Sequence, residues 1–252
     1  MRLTVLGRWS PYPAPGGACP GYLVDEGTTR LLLDCGTGTV SRLRQHCEVT
    51  DLAALVITHL HTDHMLSIYP LRDAYDWHDP DPARPPLPVY APAGASERLS
   101  ALLPTPEGQA RFRATLAFRA ITEQSVATVG PLALSFARTT HPVYCLAVRI
   151  ESGGRALVYS SDSAPAASVE ALARRANLLL CEATFPDSEV ALAAMAGHMT
   201  PTQAAELAAR AEVDRLLLTH FSPRSDPEEQ RGAAAKVFAR VEIAEENAQY
   251  TV

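Results

Sequence analysis

An apolar strand that runs straight into a group of metal-binding side chains is the feature that most limits how this chain can fold. Residues 52–59, LAALVITH, have the pattern of a buried strand, and positions 59 to 64 hold three of the chain's eight histidines and an aspartate. In an extended segment, side chains two residues apart point the same way, so His59 and His61 face one point. Asp63 and His64 follow one helical step later and face a point beside it. Imidazole and carboxylate groups together suit zinc, iron or manganese.

Three further candidate ligands follow other apolar strands. His141 ends LALSFARTTH, Asp162 ends ALVYSSD, and His220 ends DRLLLTH. α/β proteins gather functional groups at the edge where such strands end. Each of the three, taken alone, also has an ordinary reading as a capping or turn residue. Together with the histidine cluster they complete a set of ligands for two metals.

The remaining segments predict alternating strands and helices. Strand-like segments, short and apolar, recur along the chain: LTVLG, GYLVD, TRLLLDCG, PVYAP, LAFRAI, VATV, CLAVRI and NLLLCEAT. Segments with helical spacing lie among them: TVSRLRQHC, MLSIYPLRDAYDW, ASERLSALL, SVEALARRA, TPTQAAELAARA and PEEQRGAAAKVFARV. In the second of these helices, the predicted buried set is Leu66, Tyr69, Leu71 and Tyr75. Residues 79–92 are dense in proline and predict a rigid surface connection with one short strand.

The order of these elements predicts an α/β (α+β) fold. Two strand-rich halves, each ending in helices, indicate an αββα sandwich of two mixed β-sheets packed face to face, with helices outside. The turn ESGGR predicts that CLAVRI and ALVYSSD form a hairpin. Because no linker or low-complexity segment interrupts the pattern, we expect a single domain over residues 1–252.

Composition narrows the classes of partner. The formal net charge is -6, no basic run is present, and only 6% of residues are aromatic, so we expect no extended nucleic-acid track. No apolar stretch approaches the roughly 20 residues that cross a membrane, and the N-terminus lacks the pattern of a signal peptide. Four of the five cysteines sit in or beside apolar segments and none forms C-x-x-C, which favours buried thiols in a reducing cytoplasm.

These residues, in this order, resemble the metallo-β-lactamase superfamily, whose members share an αββα sandwich. The motif H-x-H-x-D-H at 59 to 64 is highly specific, and the resemblance covers nearly the whole chain. It implies two divalent metal ions, expected to be zinc, with manganese or iron as alternatives. It assigns one metal to His59, His61 and His141, the other to Asp63, His64 and His220, and a bridging position to Asp162. Asp34, in LLLDCGTGT, matches a recurrent aspartate near the site and is expected to support it.

Three motifs in the second half resemble ribonuclease Z and its phosphodiesterase relatives: CEATF, GHMTPTQAAELA and LTHFSPR. The resemblance implies that His198 sits at the scissile phosphate and that Glu182 pairs with it. Residues 200–203, TPTQ, fit a capping box with proline at the first helical position, so His198 stands just ahead of a helix N-terminus, where an anion is favoured. Otherwise His198 is a helix-entry residue that packs on its neighbours. Arg224 either contacts a phosphate oxygen or is a plain surface arginine.

Two departures from ribonuclease Z bear on the substrate. Only one predicted hairpin separates His141 from Asp162, which leaves no room for the arm with which ribonuclease Z clamps tRNA, and Ser225 stands where many of those enzymes have tyrosine. The chain therefore looks closer to the small bacterial relatives that lack the arm.

The expected function is a binuclear metal-dependent hydrolase, a phosphodiesterase that attacks a cyclic nucleotide, a short oligonucleotide end or a similar small diester with a metal-bridging hydroxide. Asp63 would orient that hydroxide, and His198, held by Glu182, would assist the leaving oxygen. The alternative is a carboxyl-ester hydrolase of the same fold, acting on a lactone, thioester or β-lactam. Further rivals are a di-iron redox enzyme and a non-catalytic metal-binding protein. A homodimer is compatible with the sequence.

Overall fold

A computed structural model describes residues 1–77, 80–81 and 83–252 of the chain. Its strands form two seven-stranded sheets. In order along the chain, the strands of the first sheet are β1 Arg2–Gly7, β2 Gly21–Glu26, β3 Thr29–Leu33, β4 Ala54–Val56, β5 Leu87–Ala91, β6 Leu116–Ala120 and, from the C-terminus, β14 Gln249–Thr251. Those of the second sheet are β7 Val126–Val129, β8 Leu132–Arg138, β9 Leu146–Ser152, β10 Arg155–Tyr159, β11 Leu178–Glu182, β12 Leu216–Thr219 and β13 Val241–Ile243.

Both sheets are mixed. In the first, the spatial order is β14-β1-β2-β3-β4-β5-β6, with antiparallel pairs as far as β3 and parallel pairs from β3 to β6. In the second, the order is β13-β12-β11-β10-β9-β8-β7, with parallel pairs as far as β10 and antiparallel pairs beyond it. The predicted mixed sheets are therefore confirmed.

Helices lie on the two outer faces. Along the chain they are α1 Thr39–Leu43, α2 Thr62–Met65, α3 Ile68–Trp77, α4 Ala95–Ser100, α5 Pro106–Thr115, α6 Ala167–Ala173, α7 Val190–Ala196, α8 Pro201–Arg210 and α9 Pro227–Ala235. Apolar residues of α1, α3, α4 and α5 pack on the first sheet, and those of α6, α8 and α9 pack on the second. A third apolar cluster fills the space between the sheets. These layers make the predicted αββα sandwich.

The predicted hairpin is confirmed between β9 and β10, which pair antiparallel through a two-residue turn. Gly153 and Gly154 occupy that turn with φ of 54° and 75°. Positive φ at both positions is the geometry of the tightest hairpin turns, and glycine adopts it at little steric cost. Because this hairpin is the whole link between the strands that precede Asp162, nothing longer is inserted there.

Two local predictions were wrong in detail. The single helix expected over 65–77 is broken into α2 and α3, because the backbone of Cys35 bonds to both His64 O (2.7 Å) and Ser67 N (2.9 Å) at the break. Leu66, which lies at this break, is 38% exposed and does not belong to the buried set, whereas Leu71 is fully buried as predicted. Tyr75 is also buried and Tyr69 half-buried.

Elsewhere one predicted helix was too long and two helices were missed. The last predicted helix ends at Ala235, because Val241 begins β13 and pairs in parallel with β12. Helices α5 and α7 were not predicted. The short strand expected in the proline-dense connection is β5, although Asp79 and Pro82 of that connection lie outside the described residues. In the described part of the chain, no helix combines the length and the apolar character needed to cross a bilayer.

The predicted burial of the cysteine thiols is confirmed for four of the five. All five thiols are free, and four are buried: Cys19, Cys35, Cys145 and Cys181.

Candidate metal centre

The candidate ligands meet at the edge of the sandwich where strands from both sheets end. His59 and His61 follow β4, and Asp63 and His64 lie in α2 directly after them. From the second sheet, His141 follows β8, Asp162 follows β10 and His220 follows β12. All of them are buried except His61, which is half-buried. The structure thus brings together all seven residues that the sequence singled out.

These side chains form two adjacent sets. In the first, His141 Nε2 lies 3.2 Å from His61 Nδ1, and Asp162 Oδ2 lies 3.4 Å from His59 Nε2. In the second, His64 Nε2 lies 3.0 Å from His220 Nε2. The carboxylate of Asp162 stands between the sets, since its other oxygen, Oδ1, lies 3.3 Å from His64 Nε2 and 3.0 Å from His220 Nε2.

Asp63 completes the second set. Its Oδ2 lies 3.6 Å from both His64 Nε2 and His220 Nε2. The same oxygen accepts a hydrogen bond of 2.9 Å from the hydroxyl of Ser10, a buried residue in the loop after β1. Sequence reasoning missed Ser10, because nothing in its local pattern connects it with a residue 53 positions away.

Neighbouring groups hold the outer nitrogens of the imidazole rings. His64 Nδ1 lies 2.7 Å from Asp34 Oδ2, and His141 Nδ1 lies 3.0 Å from the carbonyl oxygen of Gly197. Because these oxygens only accept, each ring donates from Nδ1 when neutral and turns the lone pair of Nε2 toward the cluster. Outer partners of this kind fix the orientation of histidine ligands in metal sites. Asp34 thus lies behind His64, in contact with a candidate ligand.

The donor atoms fit a divalent cation. His59 Nε2 and Asp162 Oδ1 are buried and have no hydrogen-bond partner among the described residues. A buried polar atom without a partner costs about 1–3 kcal/mol. The Nε2 atoms of His64 and His220 also lie 3.0 Å apart, and when both rings carry their proton on Nδ1 a cation beside these two lone pairs offsets their repulsion. Imidazole nitrogen with carboxylate oxygen is a donor set that zinc accepts.

The electrostatics around His61 are consistent with a neutral ligand. Burial, followed by the charges of His59 and His141, lowers the pKa of His61 to about 4. Burial likewise lowers the pKa of His141. Near neutral pH both rings therefore have a lone pair free to bind a cation.

Three of the six non-glycine residues with positive φ in the described part of the chain lie at the same edge. Asp34, Ser161 and His220 all have φ between 51° and 62°, in the left-handed region that side chains with a Cβ rarely adopt. Each such residue costs on the order of 1–3 kcal/mol and persists only where surrounding contacts hold it. Asp34 and His220 lie directly after β3 and β12, and Ser161 lies two residues after β10, so the strained backbone is found where the chain leaves these strands to enter the site.

His198 and Glu182 form a hydrogen-bonded pair beside the second set. His198 Nδ1 lies 2.9 Å from Glu182 Oε1, and the carboxylate is fully buried while the imidazole side chain is 14% exposed. The ring of His198 stacks on that of His220 with centroids 5.5 Å apart. Burial by itself would lower the pKa of His198, but the charge and the hydrogen bond of Glu182, together with the charge of Asp162, outweigh burial and raise the pKa to about 9.

The chain around His198 is organised by the turn between α7 and α8. Gly197 ends α7 with φ of 77°, and a Cβ there would lie 2.6 Å from Pro142 and 3.0 Å from the backbone of His141. A residue larger than glycine therefore does not fit. The predicted capping box is present, with Thr200 and Gln203 each bonded to the other's backbone and Pro201 at the first turn of α8.

A cavity of about 640 Å³ opens beside Thr184 and Phe185, which follow Glu182 in the chain, and neither His198 nor any of the seven candidate ligands lines it. Phe185 forms part of its wall, and its ring centroid lies 5.8 Å from that of His198. Arg224 lines the same cavity and is exposed, so the structure places it near the pair rather than among the candidate ligands.

Comparison with known proteins identifies the family of the chain. The chain belongs to the β-lactamase superfamily, whose domain profile matches residues 29–221. It is 31% identical over 239 residues to the probable metallo-hydrolase YhfI of Bacillus subtilis, an alignment that covers 94% of each chain. The crystal structure of the metallo-β-lactamase fold protein YhfI superimposes with a TM-score of 0.88, at 30% identity, over 99% of this chain and 98% of that one. The metallo-β-lactamase fold predicted from the sequence is therefore confirmed.

Ribonuclease Z is a second relative in sequence. The enzyme of Haloferax volcanii is 29% identical over 94% of this chain and 90% of its own length. Its alignment spans 292 positions, more than the 252 residues of this chain, so that relative has segments that this chain lacks. A diphosphatase of the PhnP family shares the fold, with a TM-score of 0.79 over 99% of this chain and 97% of that one at 17% identity.

Proposed function

We propose that the chain is a metal-dependent hydrolase with two divalent ions, and within that class a phosphodiesterase for small phosphodiesters. The relatives named metallo-hydrolase and ribonuclease Z support the broader class. The hydrogen bond between His198 and Glu182 supports the assignment as a phosphodiesterase, since it holds a proton donor beside the candidate metal ligands.

The proposed ligand assignment follows the two sets. His59, His61 and His141 would hold one ion and Asp63, His64 and His220 the other, and Asp162, whose carboxylate stands between the two sets, would be shared by them. Two such ions, when bound, lower the pKa of a coordinated water and offset charge on the attacked group. Zinc is the expected ion, with manganese or iron as alternatives that the same donors accept.

The orientation of the attacking water and the transfer of protons are assigned to side chains of the protein. Asp63, held by Ser10, orients the attacking water and takes its proton. His198 gives a proton from Nε2 to the leaving oxygen, while Glu182 holds Nδ1 and thereby the plane of the ring. The cavity behind Phe185 receives the leaving group, and Arg224 on its wall is available to a phosphate oxygen.

The proposed substrates are small. The cavity volume is in the range of small-molecule sites, and the link between His141 and Asp162 contains one tight hairpin with no arm to grip a folded RNA. The net charge of -6 also disfavours a long polyanion. We therefore expect precursor tRNA to be processed poorly in comparison with a cyclic nucleotide or a short oligonucleotide end.

The test is metal analysis of the purified protein, followed by a hydrolysis screen. The screen compares bis-p-nitrophenyl phosphate, cyclic nucleotides, precursor tRNA, a lactone and a thioester. We expect two ions per chain and the highest kcat/KM for a small phosphodiester. Less than one ion per chain without activation by zinc or manganese would contradict the metal assignment. A preference for the lactone or thioester would instead identify a carboxyl-ester hydrolase, and one for precursor tRNA would refute the proposed substrate size.

A further inference from the structure

Two buried carboxylates organise the site in the same way, one from each sheet. Asp34 follows β3 of the first sheet. Its Oδ2 lies 2.7 Å from His64 Nδ1 and accepts a hydrogen bond of 2.9 Å from the hydroxyl of Thr58. The backbone N–H of Thr58 also donates to Asp34, over 2.8 Å. The hydroxyl oxygen of Thr58 in turn lies 3.2 Å from His59 Nδ1. Asp34 therefore contacts one imidazole directly and a second through a threonine.

Glu182, at the end of β11 in the second sheet, repeats this arrangement. Its Oε1 lies 2.9 Å from His198 Nδ1. Its Oε2 accepts a hydrogen bond of 2.6 Å from the hydroxyl of Thr184 and a longer one of 3.4 Å from that residue's backbone N–H. The hydroxyl oxygen of Thr184 lies 2.8 Å from His220 Nδ1. Glu182 thus contacts His198 directly and His220 through a threonine.

The hydroxyl groups decide which nitrogen of each ring carries the proton. A threonine hydroxyl has one hydrogen, and in both cases it is donated to the carboxylate, from Thr58 to Asp34 and from Thr184 to Glu182. The hydroxyl oxygen then acts as an acceptor, and that of Thr58 also accepts from the hydroxyl of Ser161 over 2.7 Å. Its contact with the ring is therefore a hydrogen bond only when Nδ1 of the ring carries a proton. In the neutral ring with its proton on Nδ1, Nε2 of His59 and of His220 keeps its lone pair, and these Nε2 atoms are the ones that lie beside Asp162.

We propose that Thr58 and Thr184 are equivalent positioning residues, which hold His59 and His220 in the Nδ1–H tautomer through the carboxylates of Asp34 and Glu182. Thr58 acts on a ligand of one metal set and Thr184 on a ligand of the other. The effect on metal binding rests on the proposed function. The hydrogen bonds themselves do not, because they follow from distances among buried residues.

The two threonines provide matched variants within one chain. Thr58→Val and Thr184→Val remove the hydroxyl and keep the branched shape, whereas Thr58→Ser and Thr184→Ser keep the hydroxyl. Thr202→Val is the control, since the Thr202 hydroxyl also donates to a carboxylate, that of Asp187 (2.6 Å), but on the surface. Thermal unfolding of each variant establishes that it is folded before binding is measured.

The readout is a titration of zinc-loaded full-length protein with a chelator, followed by ¹H–¹⁵N spectra of the imidazole groups. Outer partners of metal-binding histidines typically change metal affinity by about 10–100-fold. We expect Thr184→Val to release the metal next to His220 at a correspondingly lower chelator concentration, with the metal next to His59 less affected. Thr58→Val should show the opposite order of release. The serine variants and Thr202→Val should behave as wild type.

Three results would overturn the proposal. One is that the valine variants release both metals at the same chelator concentrations as the wild-type protein. Another is serine variants that behave like the valine variants, because the methyl group and not the hydroxyl would then matter. The third is an Nε2–H tautomer for His59 or His220 in the wild-type spectra. Failure of the wild-type protein to bind zinc refutes the proposed function instead, and the imidazole N–H signals of that protein still decide the hydrogen bonds.

Discussion

Replacing His198 by asparagine separates proton donation from structural support. The imidazole uses Nδ1 to contact Glu182, so Nε2 is the nitrogen left to protonate a leaving oxygen. An asparagine side-chain amide can still donate to Glu182, but it has no acidic group to give up a proton at neutral pH. We therefore expect His198→Asn to keep its fold and metal content while losing activity on substrates that need a proton on the leaving group.

The expected loss follows from the role of a positioned acid. Such a group supplies about 10²–10⁴-fold in rate, which is about 3–5.5 kcal/mol of barrier. A phosphodiester with an alkyl or ribose leaving group should lose turnover in that range. A p-nitrophenyl ester needs little protonation and should lose less than about tenfold, well below the range for a positioned acid.

Alanine at the same position is a less clean probe. Five donors converge on Glu182: the backbone N–H groups of Ser163, Thr184 and Met199, the hydroxyl of Thr184, and His198. Removing the imidazole leaves a fully buried carboxylate without its cationic partner. Breaking a buried pair in this way costs about 3–5 kcal/mol, which is an upper bound here because four donors remain. His198→Ala is therefore expected to lose stability as well as activity.

The assay compares kcat for matched alkyl and p-nitrophenyl phosphodiesters in wild type and His198→Asn, with metal content measured on the same samples. His46→Asn is the control, because His46 lies away from the site and contacts Asn247 over 3.5 Å. Equal losses on both leaving groups would refute proton donation by His198. Loss of metal from the asparagine variant would show that His198 is a ligand, and the assignment of the two sets would have to change.

Three further predictions follow from the same contacts. Glu182→Gln should lower the free energy of unfolding by about 1–3 kcal/mol or more, because its amide NH₂ must face N–H or O–H donors in either orientation; an unchanged urea midpoint would contradict this. Gly197→Ala should destabilise the protein more than Gly153→Ala and weaken metal binding, since both glycines have positive φ but only at Gly197 does a Cβ meet neighbours; equal effects in thermal unfolding would count against it. Metal removal by a chelator should lower the melting temperature, by the equivalent of about 2.7 kcal/mol where free metal had been at 100 times its Kd; an unchanged melting curve after verified removal would show that folding does not depend on the ions.

Much of the fold could be predicted because its strands are short, apolar and separated by clear turns. The errors lie where tertiary contacts override local preference. The segment 52–59 reads as one strand, yet only Ala54–Val56 is strand, because the backbone N–H of Thr58 bonds to the side chain of Asp34 instead of a neighbouring strand. The helix over 65–77 breaks for a similar reason, since Cys35 takes backbone hydrogen bonds at the break. Such competition has no signal in the local sequence.

The seven candidate ligands could be predicted because each lies at the end of an apolar strand or in the motif after one. Ser10 and the carbonyl oxygen of Gly197 could not be predicted, because the contacts they make join distant parts of the chain. The two threonines are an intermediate case. Thr58 directly precedes the motif that begins at His59, and Thr184 lies inside the motif CEATF, but only the structure shows which imidazoles they face.

The two carboxylates also suggest why one histidine is left for catalysis. Asp34 contacts His64 directly, and His64 Nε2 lies 3.3 Å from the shared Asp162. Glu182 contacts His198 in the same manner, but the side chain of His198 remains 14% exposed whereas that of His64 is fully buried. A buried imidazole whose inner nitrogen faces other candidate metal ligands is suited to bind a metal ion. An accessible imidazole that is held by a carboxylate in the same way is suited to give a proton to a substrate. The second sheet thus repeats the arrangement of the first, except that the imidazole in direct contact with its carboxylate, that of His198, is partly exposed. That exposed imidazole is the proton donor that the proposed phosphodiester cleavage requires.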